Sequence, residues 1–314
     1  QNEGLSFSNT IIFNVSEFFP LEADAPGTSK LLHEVLIDLI DIDPQNVYTP
    51  DGTIAKESIF DFCKDYEKKI EKLGGLDLTL VEFGPSGNLA FNEPGSQINS
   101  STRLMLLGSE SRHNFAKLFH SNEAVPHSAI TMGISTLLGA KKVIVVGWGE
   151  TISPYVRQAI EAPASDTVPA SFLQSHKESK FVLDLSSAEH LTRLSTPWLV
   201  TSCEWDDKLI RRAIVWLCRI TGKPILKLTN KDYNDNGLSE LLALFGSAYN
   251  VNIKIFNDIQ HTITGWPGGK PNADDSNRPE RANPYPKKVI VFSPHPDDDV
   301  ISMGGTLRRL CDQH

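Results

Sequence analysis

The sequence has little cysteine, no long apolar run and no excess of positive charge. Its four cysteines include no Cys-x-x-Cys pair, which argues against a disulfide framework or a cysteine zinc site. No run of about 18 apolar residues occurs, and the first residues do not resemble a secretion signal. Acidic residues outnumber basic ones by 39 to 30, so a nucleic-acid or anionic-membrane surface is not expected. These absences predict a cytoplasmic protein without nucleic-acid or membrane partners.

What the sequence does contain is an alternation of short apolar runs and amphipathic segments. Strands are predicted at 10–15, 76–83, 143–146, 181–183, 225–228 and 251–256. Helices are predicted at 30–40, 58–73, 154–162, 206–221 and 238–245. This order predicts an α/β fold, in which a doubly wound, mostly parallel sheet is covered by helices on both faces.

Composition divides the chain near its C-terminal end. Residues 265–287 are rich in Pro, Gly, Asn and Asp and lack apolar periodicity, which predicts a linker or a long loop. A strand is predicted at 288–292, but too few residues follow it to bury a core. We therefore expect a first domain at 1–200, an α/β extension at 201–264, the linker, and the incomplete α/β start of another domain at 288–314.

Four sequence blocks in the first domain share one family pattern. Residues 13–18 read FNVSEF, 84–96 read GPSGNLAFNEPGS, 99–103 read NSSTR and 125–136 read VPHSAITMGIST. In this order they resemble the FNxDEY segment, FNEP loop, SRTR segment and VPxxAxTxGxxT stretch of the glucosamine-6-phosphate deaminase/isomerase family. The resemblance covers about residues 5–200 and implies the Rossmann-like fold of that family.

The resemblance implies a cofactor-free conversion of glucosamine 6-phosphate to fructose 6-phosphate and ammonia. In the family, a carboxylate base moves the C2 proton, a His–acid pair opens the ring, and cations hold the phosphate. By position, the implied catalytic residues are Glu93, Ser16, Asn88 and Glu17, and the implied substrate-binding residues are Asn92, Ser96, Arg103 and Lys117. An amino-sugar phosphate is therefore the expected partner, and a homo-oligomer stays open.

Several family positions carry residues of different chemistry. Ser16 replaces the Asp base, and a hydroxyl is too weak a base for a carbon acid without an activator. Asn88 replaces the His, and an amide does not titrate near neutral pH. Ile152 replaces a phosphate-binding lysine, and Lys117 replaces an arginine fork with a point charge. The upstream phosphate loop of the family is absent, so part of the domain is expected to precede Gln1.

These departures predict impaired deaminase catalysis. For Ser16 and Asn88, a structural role in their own loops is an equal interpretation. Glu17 stays open as a carboxylate that has taken over the work of the missing base. The alternative function is a non-catalytic sugar-phosphate-binding domain.

A second motif lies near the end of the chain. Residues 295–299 read HPDDD and precede Gly304-Gly305, which resembles the start of the PIG-L/LmbE-like zinc N-deacetylases. That resemblance implies His295 and Asp298 as zinc ligands and Asp297 as the base. A further ligand is expected downstream, so zinc is expected only in a full-length deacetylase domain, for which the first domain could serve as a scaffold. An acidic loop capping a helix at Ser302 is the alternative.

Overall fold

The computed structural model describes residues 4–22, 25–264, 289–295 and 297–312, so the predicted linker lies outside the described residues. The chain divides into two compact units, Gln1–Ser195 and Thr196–His314. No helix among these residues is long and apolar enough to span a membrane.

The first unit contains eight strands and seven α-helices in its described part. The strands are β1 (Ile12–Phe13), β2 (Ser16–Phe19), β3 (Val47–Tyr48), β4 (Leu78–Glu82), β5 (Arg103–Leu106), β6 (Ser128–Thr131), β7 (Lys142–Gly147) and β8 (Ser179–Leu183). The α-helices are α1 (Thr28–Val35), α2 (Ile59–Lys72), α3 (Ser109–Phe115), α4 (Ile134–Leu138), α5 (Ser153–Glu161), α6 (Leu185–Ala188) and α7 (Thr192–Ser195).

These strands form three sheets rather than one. A parallel sheet has the order β4-β7-β8, an antiparallel sheet has the order β2-β6-β5, and β1 pairs in parallel with β3. The predicted α/β class with parallel strands is confirmed. The single, mostly parallel sheet is wrong, and Ser16 opens the antiparallel strand β2 three residues after the short parallel strand β1 ends. Periodicity predicts that a segment is a strand, but it does not identify the partner strand.

One face of the parallel sheet is open among the described residues. Along β4, Val81 is 5% exposed, whereas Leu80 on the opposite face is 62% exposed. Val182 of β8 lies on the same face as Leu80 and is 47% exposed. The expectation of helices on both faces is therefore wrong for this part of the sheet. Strand alternation shows which residues share a face, but not whether that face is covered.

The opposite face of the sheet forms the core of the first unit. Val81, Val143 and Val145 pack there with Tyr66 of α2 and Val156 of α5. Burying each such side chain contributes roughly 1.5–3 kcal/mol. The loop that follows β4 is thereby attached to the best-packed part of the unit.

The second unit is helical in its described part. Its helices are α8 (Asp207–Thr221), α9 (Asn230–Asp235), α10 (Ser239–Phe245), α11 (Ala248–Thr264) and α12 (Asp298–Asp312). The helices predicted at 206–221 and 238–245 are confirmed. The strands predicted at 225–228 and 251–256 are wrong, because Ile225–Lys227 is a 3-10 helix and the second segment lies inside α11. The described part of the predicted strand at 288–292 has no strand pairing.

A lysine–aspartate pair stabilises α9. Lys223 Nζ donates to Asp232 Oδ1 at 2.7 Å, and the Thr229 N–H donates to Asp232 Oδ2 at 2.8 Å. These hydrogen bonds, with that from Lys223 the largest, lower the pKa of Asp232 to about 2 from its ordinary 3.8. Because the folded pKa is the lower one, the stabilisation is present above pH 3.8 and is lost as the pH falls towards 2.

We expect Asp232→Asn to reduce the loss of stability of the second unit in this acid range. The amide does not titrate, so the linked proton uptake disappears. Denaturant unfolding followed by tryptophan fluorescence at several pH values measures the effect. Asp235→Asn, at an exposed site on the same helix, is the control. An unchanged pH dependence in Asp232→Asn would contradict the assignment.

Candidate functional site

Thr131, at the end of β6, lies at the centre of the candidate site. It pairs with Ser16 of β2 on one side and with Arg103 of β5 on the other. Its Oγ1 accepts a hydrogen bond from the Phe91 N–H at 3.3 Å, and Thr131 is fully buried. Because neighbouring strands are about 4.8 Å apart, the backbones of Ser16 and Arg103 are roughly 10 Å apart. The sheet thus brings three of the four sequence blocks together, and the fourth, the FNEP loop, contacts Thr131 through Phe91.

Arg103 is held by two residues of the FNEP loop. Its Nη1 donates to Asn92 Oδ1 and its Nη2 to Ser96 Oγ, both at 2.9 Å. Asn92 is fully buried, and its Nδ2 donates to the carbonyls of Leu89 and Met132, which fixes the amide orientation. The structure therefore brings together Asn92, Ser96 and Arg103, which the sequence assigned to substrate binding.

The positive charge of Arg103 is not neutralised by the described residues. None of their carboxylates lies within ion-pair distance of its guanidinium. Desolvation of the half-buried side chain lowers the pKa of Arg103, but an arginine remains charged at neutral pH. A partly desolvated guanidinium without a carboxylate partner is suited to binding an anion.

Glu93 is buried in the same loop but faces a different neighbour. Its Oε1 accepts a hydrogen bond from the Gly108 N–H at 3.2 Å, just before α3. A Cβ atom on Gly108 would lie only 3.3 Å from Glu93 Oε2, so the glycine permits this close approach. Glu93 thus lies next to the cluster formed by Asn92, Ser96 and Arg103 (the Arg103 cluster), with one oxygen engaged by a backbone donor.

Asn88 is engaged within its own loop. Its Oδ1 accepts hydrogen bonds from the N–H and Oγ of Ser86 at 3.3 and 3.0 Å, and its Nδ2 donates to the Ala90 carbonyl at 2.6 Å. The side chain lies against Gly84, where an added Cβ would come within 2.2 Å of it. The geometry favours the structural interpretation of Asn88.

Glu17 is engaged at the start of α1. Its carboxylate accepts the N–H groups of Phe18, Thr28 and Ser29 at 2.7 to 2.9 Å. Thr28 also donates its hydroxyl to the Ser16 carbonyl. A buried carboxylate that satisfies several backbone donors at a helix start stabilises that helix. This geometry favours a structural role for Glu17 and offers no evidence that it replaces the missing base.

The two remaining family positions lie outside the Arg103 cluster. Lys117 is exposed in the turn after α3, and no described contact joins its amine to the cluster. Ile152 is 6% exposed and belongs to the apolar core, so no positive charge stands at that position. The sequence analysis did not mark Thr131 as a site residue, although it is the first threonine of the VPxxAxTxGxxT stretch.

The second motif forms a pair of side chains at the start of α12. His295 Nδ1 lies 2.8 Å from Asp298 Oδ2, and the Asp299 N–H donates to Ser293 Oγ at 3.2 Å. No group of three His, Cys, Asp or Glu side chains suited to a metal occurs within the described ranges. A helix cap at Ser302 is wrong, because α12 already begins at Asp298.

The chain matches the sequence model of the glucosamine-6-phosphate isomerases/6-phosphogluconolactonase over residues 1–182. It is 35% identical over 193 residues to the glucosamine-6-phosphate deaminase of Shewanella halifaxensis, covering 61% of this chain and 73% of that protein. It is 64% identical over all 314 residues to a glucosamine-6-phosphate deaminase-like protein of Bacteroides thetaiotaomicron, but spans only 47% of that relative.

A solved structure of a monomeric glucosamine-6-phosphate deaminase is similar to this fold. The TM-score is 0.58 at 31% sequence identity, and the match covers 60% of this chain and 78% of that one. The matched family segment accounts for more than half of the chain and includes every residue of the Arg103 cluster. The protein therefore belongs to the glucosamine-6-phosphate isomerase/6-phosphogluconolactonase family.

Proposed function

We propose that this deaminase-like protein binds an amino-sugar phosphate and turns it over very poorly. One observation carries the proposal: Arg103 has no carboxylate partner among the described residues, while the Asn88 amide is engaged by hydrogen bonds in its own loop. The proposed location is the cytoplasm. An oligomer of identical chains stays a prediction.

The case for poor turnover rests on Asn88 and Ser16. An active deaminase must open the sugar ring and move a proton between carbons, and each step needs a group that exchanges protons near neutral pH. The Asn88 amide cannot do so, and its hydrogen bonds hold its own loop. Ser16 is 5% exposed within a strand and has no carboxylate to offer. Glu93 is thus left without its usual chemical partners.

The case for phosphate binding rests on Arg103 and Ser96. Guanidinium–phosphate hydrogen bonds are about twice as strong as neutral ones, and their geometry is directional. Asn92 and Ser96 already hold the guanidinium, which reduces the conformational entropy lost on binding. A hydroxyl next to the guanidinium supplies a further donor. This arrangement is suited to the phosphate end of a sugar phosphate.

We expect Arg103→Ala to weaken binding of glucosamine 6-phosphate by roughly 10- to 100-fold, the loss typical of a hydrogen bond to a charged group. Binding of unphosphorylated glucosamine should change little. Calorimetric titration of both ligands measures the contrast. Arg193→Ala, which removes an exposed arginine of α7, is the control. Equal binding of glucosamine 6-phosphate by wild type and Arg103→Ala would refute the proposed phosphate site.

The alternative function is a non-catalytic sugar-phosphate-binding or scaffold domain joined to a zinc N-deacetylase. Its support is the HPDDD motif and the 2.8 Å contact between His295 and Asp298 at the start of α12. In that function His295 and Asp298 would hold zinc and Asp297 would act as the base. Zinc sites use more protein ligands than this pair, so the remainder must come from elsewhere.

A further inference from the structure

Glu67 of α2 is the acceptor of three hydrogen bonds beside the Arg103 cluster. Its Oε1 accepts the Thr102 N–H at 2.6 Å, the Thr102 hydroxyl at 2.5 Å and the Thr136 hydroxyl at 2.5 Å. Thr102 and Thr136 are 5% and 9% exposed, so water competes little for these contacts. One carboxylate oxygen therefore connects α2, the residue before β5, and α4.

Thr102 is the residue immediately before Arg103. Holding the Thr102 N–H and hydroxyl constrains the backbone from which the Arg103 side chain leaves the chain. Arg103 in turn reaches Asn92 and Ser96 on the FNEP loop. A single peptide unit thus separates Thr102, which the Glu67 carboxylate holds, from Arg103, which carries the guanidinium.

The described hydrogen bonds of Glu67 come from neutral groups, and no ion pair joins it to Arg103 in the described part of the chain. Its Oε1 is occupied by the threonine donors, so the carboxylate is not an ion-pair partner of the arginine. The arrangement holds the start of β5 while leaving the guanidinium without a carboxylate partner.

We propose that Glu67 is a positioning residue that orients Arg103 for phosphate through Thr102 without contacting the ligand. This inference rests on the proposed phosphate-binding function of Arg103. It gives α2, a helix outside the four sequence blocks, a role in ligand affinity. This role requires an acceptor oxygen on the side chain at position 67 and depends less on its negative charge.

The test compares glucosamine 6-phosphate with glucosamine by calorimetry in four variants. We expect Glu67→Ala and Thr102→Val each to weaken binding of the phosphorylated ligand, by about tenfold for Glu67→Ala. Binding of glucosamine should stay unchanged, because a misdirected guanidinium affects only the phosphate. Glu67→Gln keeps an acceptor oxygen and should retain most of the affinity. Glu71→Ala, one turn along α2 at an exposed position, should behave as wild type.

A ligand-free measurement separates this inference from the proposed function. The Arg103 Nε–Hε resonance, assigned by its loss in Arg103→Ala, should shift in Glu67→Ala and Thr102→Val and hold near its place in Glu67→Gln. If Arg103→Ala binds phosphate normally, the proposed function fails, and the resonance still decides the role of Glu67. An unmoved resonance, or unchanged phosphate binding in Glu67→Ala and Thr102→Val while Arg103→Ala binds weakly, would overturn the inference. Thr102→Val removes only one hydroxyl, which keeps the test valid if Glu67→Ala does not fold.

Discussion

Incubated with glucosamine 6-phosphate, the purified protein is expected to release ammonia at least about 10²-fold more slowly than the Shewanella deaminase that it resembles. Ser16 and Asn88 lack the acid–base chemistry of the residues that they replace, and each such group is worth about 10²–10⁴-fold. The buried Ile152 also removes a cation from the family pattern. Ammonia release and fructose 6-phosphate formation should be measured together, so that spontaneous breakdown is recognised.

The double variant Ser16→Asp, Asn88→His is expected to release ammonia faster than wild type. It restores both proton-transfer groups of the family pattern, and adding Glu93→Ala should abolish the gain. The new His loses the hydrogen bonds that Asn88 makes to Ser86 and Ala90, so thermal unfolding must confirm that the variant is folded. Ordinary deaminase turnover by the wild-type protein, abolished by Glu93→Ala, would contradict impaired catalysis.

Gly133→Ala is expected to destabilise the first unit by about 3 kcal/mol or more, because overpacked backbone has little room to move. A Cβ atom at Gly133 would lie 2.1 Å from the Ser100 carbonyl oxygen and 2.4 Å from that of Ser101. The same Ser100 carbonyl accepts the Ser135 N–H at 2.9 Å, so relief of the clash would break a hydrogen bond at the start of α4. The φ of Gly133 is −78°, so the cost is steric contact and not backbone strain.

Denaturant unfolding of Gly133→Ala against wild type measures this cost. Gly139→Ala is the matched control, because its Cβ would meet only carbonyl oxygens of the preceding helical turn, at 3.2 and 3.3 Å. That control should stay close to wild type. If Gly133→Ala also unfolds like wild type, then residues 100–101 do not pack against α4 as described. The packing of the segment that precedes Arg103 would then be wrong.

The sequence blocks assigned Asn92, Ser96 and Arg103 to substrate binding; the structure joins these three side chains by hydrogen bonds, and their role in binding stays a prediction. They left the roles of Glu17 and Asn88 open, because a carboxylate or amide beside a strand has the same sequence signature whether it contacts substrate or its own backbone. They also missed Thr131 and Glu67. Thr131 joins Ser16 to Arg103 through antiparallel pairing, and no local pattern specifies which strand lies next to which.

The sequence by itself determined the α/β class of the first unit, the positions of α1, α2 and α5 among the seven α-helices of its described part, and the absence of a carboxylate at Ser16 and of an imidazole at Asn88. Those properties depend on residue type and local periodicity. Only the tertiary structure decided that 251–256 is helical, since a short segment with three β-branched residues suits a buried strand or a buried helix equally. Val251 and Ile255 lie one helical turn apart and are both fully buried in the core of the second unit. The unneutralised charge of Arg103 is likewise a property of distance, because an ion pair depends on which carboxylates the fold brings near it.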